Sequence, residues 1–154
     1  MLDHKIELLQ LVPLFAGLSV DLLEAIAGAG EKRYFETDEN LITEGEKGDI
    51  AFLILSGKAS CPRSVNGERR TDDLWPGTLV GELGMLIETV HAVTVTANER
   101  LRALAIRREA FRAVMEEHPA IAKHISDALL IRLHGLAARL REVDNRLAEI
   151  EKAA

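Results

Sequence analysis

The stretch from Gly81 to Val95, GELGMLIETVHAVTV, carries most of what this chain reveals about its fold and function. A glycine and an acid open a short apolar turn of predicted helix, and a loop then leads to His91 and an AVTV strand. Gly81 permits backbone dihedrals that a Cβ would forbid, and it lets the backbone approach a ligand closely. The unpaired N–H groups of the next turn attract an anion, whereas Glu82 supplies acceptor oxygens that suit a sugar hydroxyl. The segment therefore predicts a site for a sugar phosphate.

Further short motifs lie on both sides of this segment. They are Pro13-Leu14-Phe15-x-x-Leu18, Glu44-Gly45-x-x-Gly48-Asp49 followed by FLILSG, Trp75-Pro76-Gly77, and Phe111 with Pro119. Together with the central segment they resemble the cyclic-nucleotide-binding domain family, whose phosphate-binding cassette reads approximately F-G-E-[LI]-[AG]-[LM]-x-x-x-x-P-R-[AST]-A-T-V. Residues 80–85 follow that pattern, as do Ala92, Thr94 and Val95, with no insertion between them. Fragments that are weak singly become specific when they occur together in the right order.

The resemblance implies a fold, a ligand and a set of binding residues. The implied fold class is α+β, mainly β: an antiparallel jelly-roll barrel flanked by N-terminal helices and a long C-terminal helix. The barrel domain with its N-terminal helices would span residues 1–119, and the C-terminal helix, a dimerisation coiled coil, residues 120–154. Glu82 would hold the ribose 2′-hydroxyl of a cyclic nucleotide. The implied ligand-binding residues are Gly81, Glu82, Leu83, Gly84, His91, Ala92 and Val93.

His91 stands where the family carries the arginine that grips the phosphate, and Val90 stands where it carries proline. Arginine offers a planar, permanently charged fork, whereas histidine forms at most one bond per nitrogen and is largely neutral near neutral pH. Charge-assisted hydrogen bonds are worth about 1.5–3 kcal/mol, so a cyclic nucleotide is expected to bind roughly tenfold to more than a hundredfold more weakly. Relatives that prefer cyclic GMP often carry Thr or Ser at the position of Ala92. The alanine methyl cannot hydrogen-bond a guanine amino group, which favours cyclic AMP as the ligand.

Length and composition indicate one domain with a substantial core. The chain has 154 residues, of which 47% are hydrophobic, and a formal net charge of −6. An acidic chain lacks the global basic field that nucleic acid attracts. The single Cys61 excludes an internal disulfide and indicates a reducing compartment. The N-terminal run is typical of neither a signal peptide nor a membrane-spanning helix, so a cytoplasmic protein without a membrane partner is expected.

Turn residues and apolar periodicity divide the chain into predicted elements. Two short helices come first, one ended by Pro13 and one capped by Ser19. The run FLIL over 52–55 is apolar throughout and predicts a strand buried on both faces, while Asn66-Gly67 predicts a hairpin turn. Further strands are predicted over 93–97 and 101–106, and helices over 108–118 and from 119 to the C-terminus.

The last predicted helix carries an apolar heptad repeat. Its members are Leu129, Leu133, Leu136, Leu140, Val143, Leu147 and Ile150. With Leu133 at position a, the g positions hold Arg139 and Arg146 and the following e positions hold Asp144 and Glu151, which suits a parallel pair of helices. Residues 122–133 are expected to pack against the chain's own barrel, and the part beyond Leu136 against a second helix. A homodimer is predicted, with a helix packed wholly along its own barrel as the alternative.

No catalytic machinery is visible, and the chain is predicted not to be an enzyme. A cupin-like metalloenzyme would need His-x-His with a downstream Glu and His on strands, but four of the histidines fall on predicted helices. They are His4, His118, His124 and His134. No metal is therefore expected, and the lone cysteine excludes an iron–sulfur sensor. The heptad occupies the residues after Pro119, so a DNA-binding helix-turn-helix and direct nucleic acid binding are not expected.

Two functions remain open. The first is a regulatory module that binds a cyclic nucleotide, with cyclic AMP favoured, and signals through its C-terminal helix to a downstream protein. Ligand in the cassette would draw the 81–86 turn inward and reorient the last helix about Pro119. The second is a degenerate domain with no nucleotide ligand that serves for dimerisation or for docking a partner.

Overall fold

Two short helices precede the sheets of the computed structural model, which describes residues 3–153. Helix α1 spans His4–Leu11 and α2 spans Val20–Gly28, with a 3₁₀ turn over Pro13–Phe15 between them. Ser19 Oγ accepts a hydrogen bond from Leu22 N at 3.4 Å and so caps α2. The predicted end of the first helix before Pro13 and the Ser19 cap are both confirmed.

Ten strands and a short helix follow in the described part of the chain. The strands are β1 Glu31–Phe35, β2 Asn40–Ile42, β3 Lys47–Gly48, β4 Ile50–Ser56, β5 Ala59–Val65, β6 Glu68–Leu74, β7 Leu79–Val80, β8 Thr89–Val90, β9 Val95–Ala97 and β10 Leu101–Arg107; helix α3 spans Glu82–Leu86. They form antiparallel sheets in the orders β1-β10-β4-β7, β2-β9-β5-β6 and β3-β8. The predicted fold class, an antiparallel jelly roll flanked by helices, is confirmed, although its strands form three sheets rather than one closed ring.

The predicted buried strand and hairpin turn are confirmed, and one predicted strand boundary is corrected. Strand β4 is buried on both faces, and Asn66 (φ 52°) with Gly67 (φ 81°) forms the β5–β6 hairpin turn. The strand predicted over 93–97 begins only at Val95, which pairs with Ile42. Thr94 instead accepts a hydrogen bond from Glu44 N through its side chain at 2.9 Å, and Val93 is 40% exposed. The alternating sequence pattern therefore begins two residues before the hydrogen-bonded strand β9.

The hydrophobic core has two parts that meet at β4. Because successive strand residues point to opposite faces, Leu53 and Leu55 pack with the helices, while Phe52 and Ile54 pack between the sheets. The helical part includes the tilted pair Phe15 and Phe111, whose ring centroids are 6.0 Å apart. The N-terminal helices are thereby attached to the same strand whose first residue borders the cassette.

Helix α4 spans Arg108–Glu117, and α5 spans Pro119–Ala153 as a single helix of 35 residues. Ile121 and Ile125 are buried and Ala128 is half-buried, but Leu133 is 58% exposed. The expected packing of residues 122–133 on the barrel therefore ends about one turn earlier, since the apolar residues of α5 beyond Ala128 are exposed. Within residues 3–153, none of the helices combines the length and apolar character needed to cross a membrane.

Candidate functional site

The cassette segment forms α3 and rests directly on β3 and β4. Gly81, just before α3, has a φ of +79°, and the carbonyl oxygen of Ile50 lies 3.1 Å from the point where a Cβ of Gly81 would stand. Both the dihedral and the space therefore require glycine here. A Cβ on Gly84 would stand 3.0 Å from the carbonyl carbon of Gly48, so these two backbones also approach closely. The cassette turn is held against the sheet by contacts that only glycine allows.

His91 points its ring into this same corner. Its Cε1 lies 3.6 Å from the point where a Cβ of Gly81 would stand, and its ring also lies against Gly48. The backbone of His91 is fixed by two bonds, since its N–H donates to Glu46 O at 2.9 Å and its carbonyl accepts from Gly45 N at 2.9 Å. The structure thus brings His91 to the start of α3, where the resemblance puts the phosphate-gripping side chain.

Glu82 is the first residue of α3, and its carboxylate contacts the C-terminal helix. Arg132 Nη1 on α5 donates to Glu82 Oε1 at 3.1 Å. The Glu82 side chain is 26% exposed and that of Arg132 is 50% exposed. The carboxylate that the resemblance assigns to a ribose hydroxyl therefore has a guanidinium partner on α5.

Arg108, the first residue of α4, ties the other end of the cassette to the sheet. Its Nη1 donates to the carbonyl oxygens of Gly48 and Gly84 at 3.2 Å each and of Ile87 at 3.0 Å. These carbonyls belong to β3, to α3 and to the residue that ends α3. A movement of α3 must therefore break or carry along bonds to the start of α4.

The remaining predicted ligand residues lie at the surface. Leu83 and Val93 are 54% and 40% exposed, and Ala92 is also exposed, whereas Gly84 is buried. Leu83 and Val93 offer apolar contact at the edge of the cassette, and Ala92 offers only a methyl. The predicted residues thus divide into a close group of Gly81, Gly84 and His91 and an exposed rim of Leu83, Ala92 and Val93, while Glu82 is turned toward Arg132 on α5.

A cavity of about 180 Å³ adjoins His91. Its polar lining comes from Asn40, Thr43, Glu46, Lys47, Asp49 and His91. Two carboxylates and one ammonium face this space, so its fixed charge does not favour an anion. Among residues 3–153, no group of three or more His, Cys, Asp or Glu side chains is arranged to hold a metal ion.

Two residues that connect the site to the helices were not predicted from the sequence. Arg132 is at a g position one heptad before Arg139, but the heptad by itself does not indicate that this side chain meets the cassette. Arg108 follows β10 directly, and nothing in its local sequence distinguishes it from the neighbouring Arg107. Its role depends on three carbonyls that lie far from it along the chain.

The fold and the geometry of this corner define a small sensor-type β-domain with a glycine-bounded cassette, and the sequence comparison assigns its family. The sequence model described as the cyclic nucleotide-binding domain matches residues 32–118, which is more than half of the chain. The chain belongs to the cyclic nucleotide-binding domain family. The matched residues include α3, His91 and Arg108.

Individual relatives agree with this assignment. The chain is 31% identical over 137 residues to the cyclic AMP receptor protein of Thermus thermophilus, a match covering 88% of this chain and 60% of that protein. It is 34% identical over 87 residues to a cAMP-dependent protein kinase regulatory subunit of Mucor circinelloides, covering 56% of this chain and 20% of that protein. The chain thus spans about three fifths or less of the length of these relatives.

The solved structures support the fold independently. The N-terminal domain of a transcriptional regulator from Streptomyces coelicolor superposes with a TM-score of 0.78 at 22% identity, covering 86% of this chain and 94% of that one. At this identity the likeness concerns the fold alone.

Proposed function

We propose that this chain is a ligand-sensing regulatory module that binds a cyclic nucleotide, cyclic AMP in particular, and acts by binding rather than by catalysis. The observation that carries the proposal is the meeting of Gly81, Glu82 and His91 around the start of α3 in a member of this family. Both curated relatives described above are named for cyclic AMP. The proposed ligand-binding residues are Gly81, Glu82, Leu83, Gly84, His91, Ala92 and Val93.

Each polar group in the cassette suits one part of such a ligand. Backbone N–H groups after Gly81, together with the His91 ring, face the proposed phosphate position and donate to its oxygens. Glu82 accepts from the ribose hydroxyl, as a carboxylate can. Ala92 offers no hydrogen bond to a guanine amino group, which favours adenine over guanine.

The ion pair between Glu82 and Arg132 supplies the proposed path to the C-terminal helix. A ribose hydroxyl that donates a hydrogen bond to Glu82 competes with Arg132 for the same carboxylate. The ligand therefore binds better to the arrangement in which α5 no longer contacts the cassette. This difference in affinity is what shifts a population between two helix positions. Arg108 supports the same coupling, because it ties α3 to the start of α4.

Beyond the cassette, α5 presents an unpartnered apolar stripe that we assign to a homodimer. Leu140, Leu147 and Ile150 are 69%, 58% and 67% exposed. An apolar seam of this kind is stabilised by a second helix, and the arginines at g with the acids at e suit a parallel copy. We accordingly divide the chain into the sensor domain over 1–119 and the dimerising helix over 120–154. We propose that the module acts in the cytoplasm and signals to a downstream protein.

A second function is favoured by the charge and size of the space beside His91. Glu46 and Asp49 oppose a phosphate there, and a cavity of about 180 Å³ is smaller than the roughly 300–1,000 Å³ of typical ligand pockets. His91 also lacks the arginine fork. These features suit a degenerate domain without a nucleotide, retained for dimerisation or partner docking.

Isothermal titration calorimetry of the full chain with cyclic AMP and with cyclic GMP separates the two functions. The sensor proposal expects saturable binding that is tighter for cyclic AMP and weakened by Glu82→Gln. Binding that is absent for both nucleotides up to millimolar concentration, in protein with an intact circular dichroism spectrum, would replace the sensor with the docking module.

A further inference from the structure

A second polar cavity lies at the end of β4 remote from the cassette. In the register of the sheet, Arg102 on β10 pairs with Tyr34 on β1 and with Ser56 on β4, so the three side chains form a row across three strands. Ile50, whose carbonyl borders Gly81, begins β4, and Ser56 ends it. At about 3.3 Å per residue these two positions are roughly 20 Å apart, so the cavity is separate from the cassette.

The cavity has a positive lining in an acidic chain. It is lined by Tyr34, Ser56, Arg100, Leu101 and Arg102, with two guanidinium groups, two hydroxyl-bearing side chains and no carboxylate. Arg100 Nε forms an ion pair with Glu36, whose Oε1 lies 3.8 Å away. Both partners of that pair are about 70% exposed, so solvent screens it and Arg100 keeps donors free for another acceptor.

Arg102 supplies guanidinium donors to this cavity. Its Nε is shielded from solvent and has no hydrogen-bond partner among residues 3–153, so it is not the atom that would meet a molecule in the cavity. The two Nη atoms are not buried without a partner in this way, and they are the donors that can meet one. A guanidinium group can only donate, so its partner in the cavity must be an acceptor.

The size of the cavity restricts the ligand. Its volume is about 200 Å³, below the roughly 300 Å³ at which pockets begin to hold drug-sized molecules. Guanidinium groups bind carboxylate and phosphate oxygens through paired N–H donors. We infer that the cavity of Tyr34, Ser56, Arg100 and Arg102 binds a small oxyanion, a phosphate or a carboxylate group, independently of the cassette.

The test is thermal unfolding of the full chain with inorganic phosphate or acetate in place of chloride at constant ionic strength. At about ten times its dissociation constant, a bound anion should raise the Tm of a domain of this size by about 3–5 °C. Whichever of phosphate and acetate gives the larger rise in Tm identifies the preferred anionic group. The rise should disappear in Arg102→Gln and persist in Arg69→Gln, which removes an exposed arginine on β6. It should also persist in His91→Ala, which alters only the cassette.

Absence of any rise with both anions, or an equal rise in Arg102→Gln, would overturn the inference. If Arg102→Gln does not fold, the double variant Tyr34→Phe, Ser56→Ala removes two hydroxyl groups instead. It should weaken the anion dependence several-fold, and an unchanged dependence would count against the site. Calorimetric failure of cyclic AMP binding leaves this result unaffected, because the two sites lie at opposite ends of β4.

Discussion

Arg132 on α5 donates to the carboxylate of Glu82 on α3 at 3.1 Å, so the C-terminal helix and the cassette are joined by an ion pair across 50 residues of sequence. The packed apolar contacts of α5 end near Ala128, and this pair lies just beyond them. Because both side chains are partly exposed, the pair is weak enough for a ligand to replace. In the proposed sensor, this is the contact through which a ligand in the cassette alters the position of α5.

Arg132→Gln should tighten cyclic AMP binding by up to about fivefold. The substitution removes the competitor for Glu82, and exposed pairs are worth about 0.2–1 kcal/mol. Calorimetry measures the change, and Arg139→Gln, one heptad further along α5, is the matched control with the same loss of charge. Weaker binding in Arg132→Gln alone would show that the guanidinium assists the ligand instead of competing with it.

Glu82→Gln should weaken cyclic AMP binding by roughly 1–2 kcal/mol, because the neutral amide is a poorer acceptor for a ribose hydroxyl. The shape of the side chain is preserved, so the Tm should change little. Parallel calorimetry and thermal unfolding separate the two effects. A large fall in Tm with unchanged affinity would assign Glu82 to structural support of α3.

His91→Arg should tighten cyclic AMP binding about tenfold or more, since arginine adds a charged fork for the phosphate. Calorimetry with cyclic AMP measures the change. His134→Arg, on the exposed part of α5, is the control and should leave the affinity unchanged. Binding in His91→Arg that is no tighter than in the unsubstituted chain would count against a phosphate position beside residue 91.

The combined substitution Leu140→Asp and Leu147→Asp should convert a dimer into a folded monomer. It places charges in the apolar seam, where they lose hydration without a partner. Sedimentation at micromolar concentration measures the state, and circular dichroism checks the fold. Ala138→Asp, at an f position away from the seam, should remain dimeric. An unsubstituted chain that already sediments as a monomer contradicts the coiled coil.

Cys61 should react slowly with iodoacetamide. Burial raises the pKa of its thiol, the facing Asp72 carboxylate raises the pKa further, and Arg63 lowers it in part. The thiolate is the reactive form, so the rate should increase with pH and reach its plateau at higher pH in the folded chain than in the unfolded chain. Asp72→Asn should accelerate the reaction near pH 8. Asp73→Asn, which faces Ser60 instead, should not.

Several elements follow from local sequence because their causes are local. Gly81 before an apolar turn predicts α3, Asn66-Gly67 predicts the hairpin, and Ser19 predicts a helix cap; all three are present. The apolar run over 52–55 predicts a strand buried on both faces for the same reason. The alternation over 93–97 misleads by two residues, because side-chain bonding of Thr94 competes with the ladder.

The sequence alone determined the fold class, the position of the cassette and the heptad of α5, because each rests on residue types and spacings that can be recognised directly along the chain. Only the tertiary structure decided which distant groups meet. It placed Arg132 on Glu82 and Arg108 on three carbonyls, and it left Arg102 Nε buried with no partner among residues 3–153. Such contacts depend on the path of the whole chain and on the angle at which α5 leaves the domain, and no local spacing encodes them.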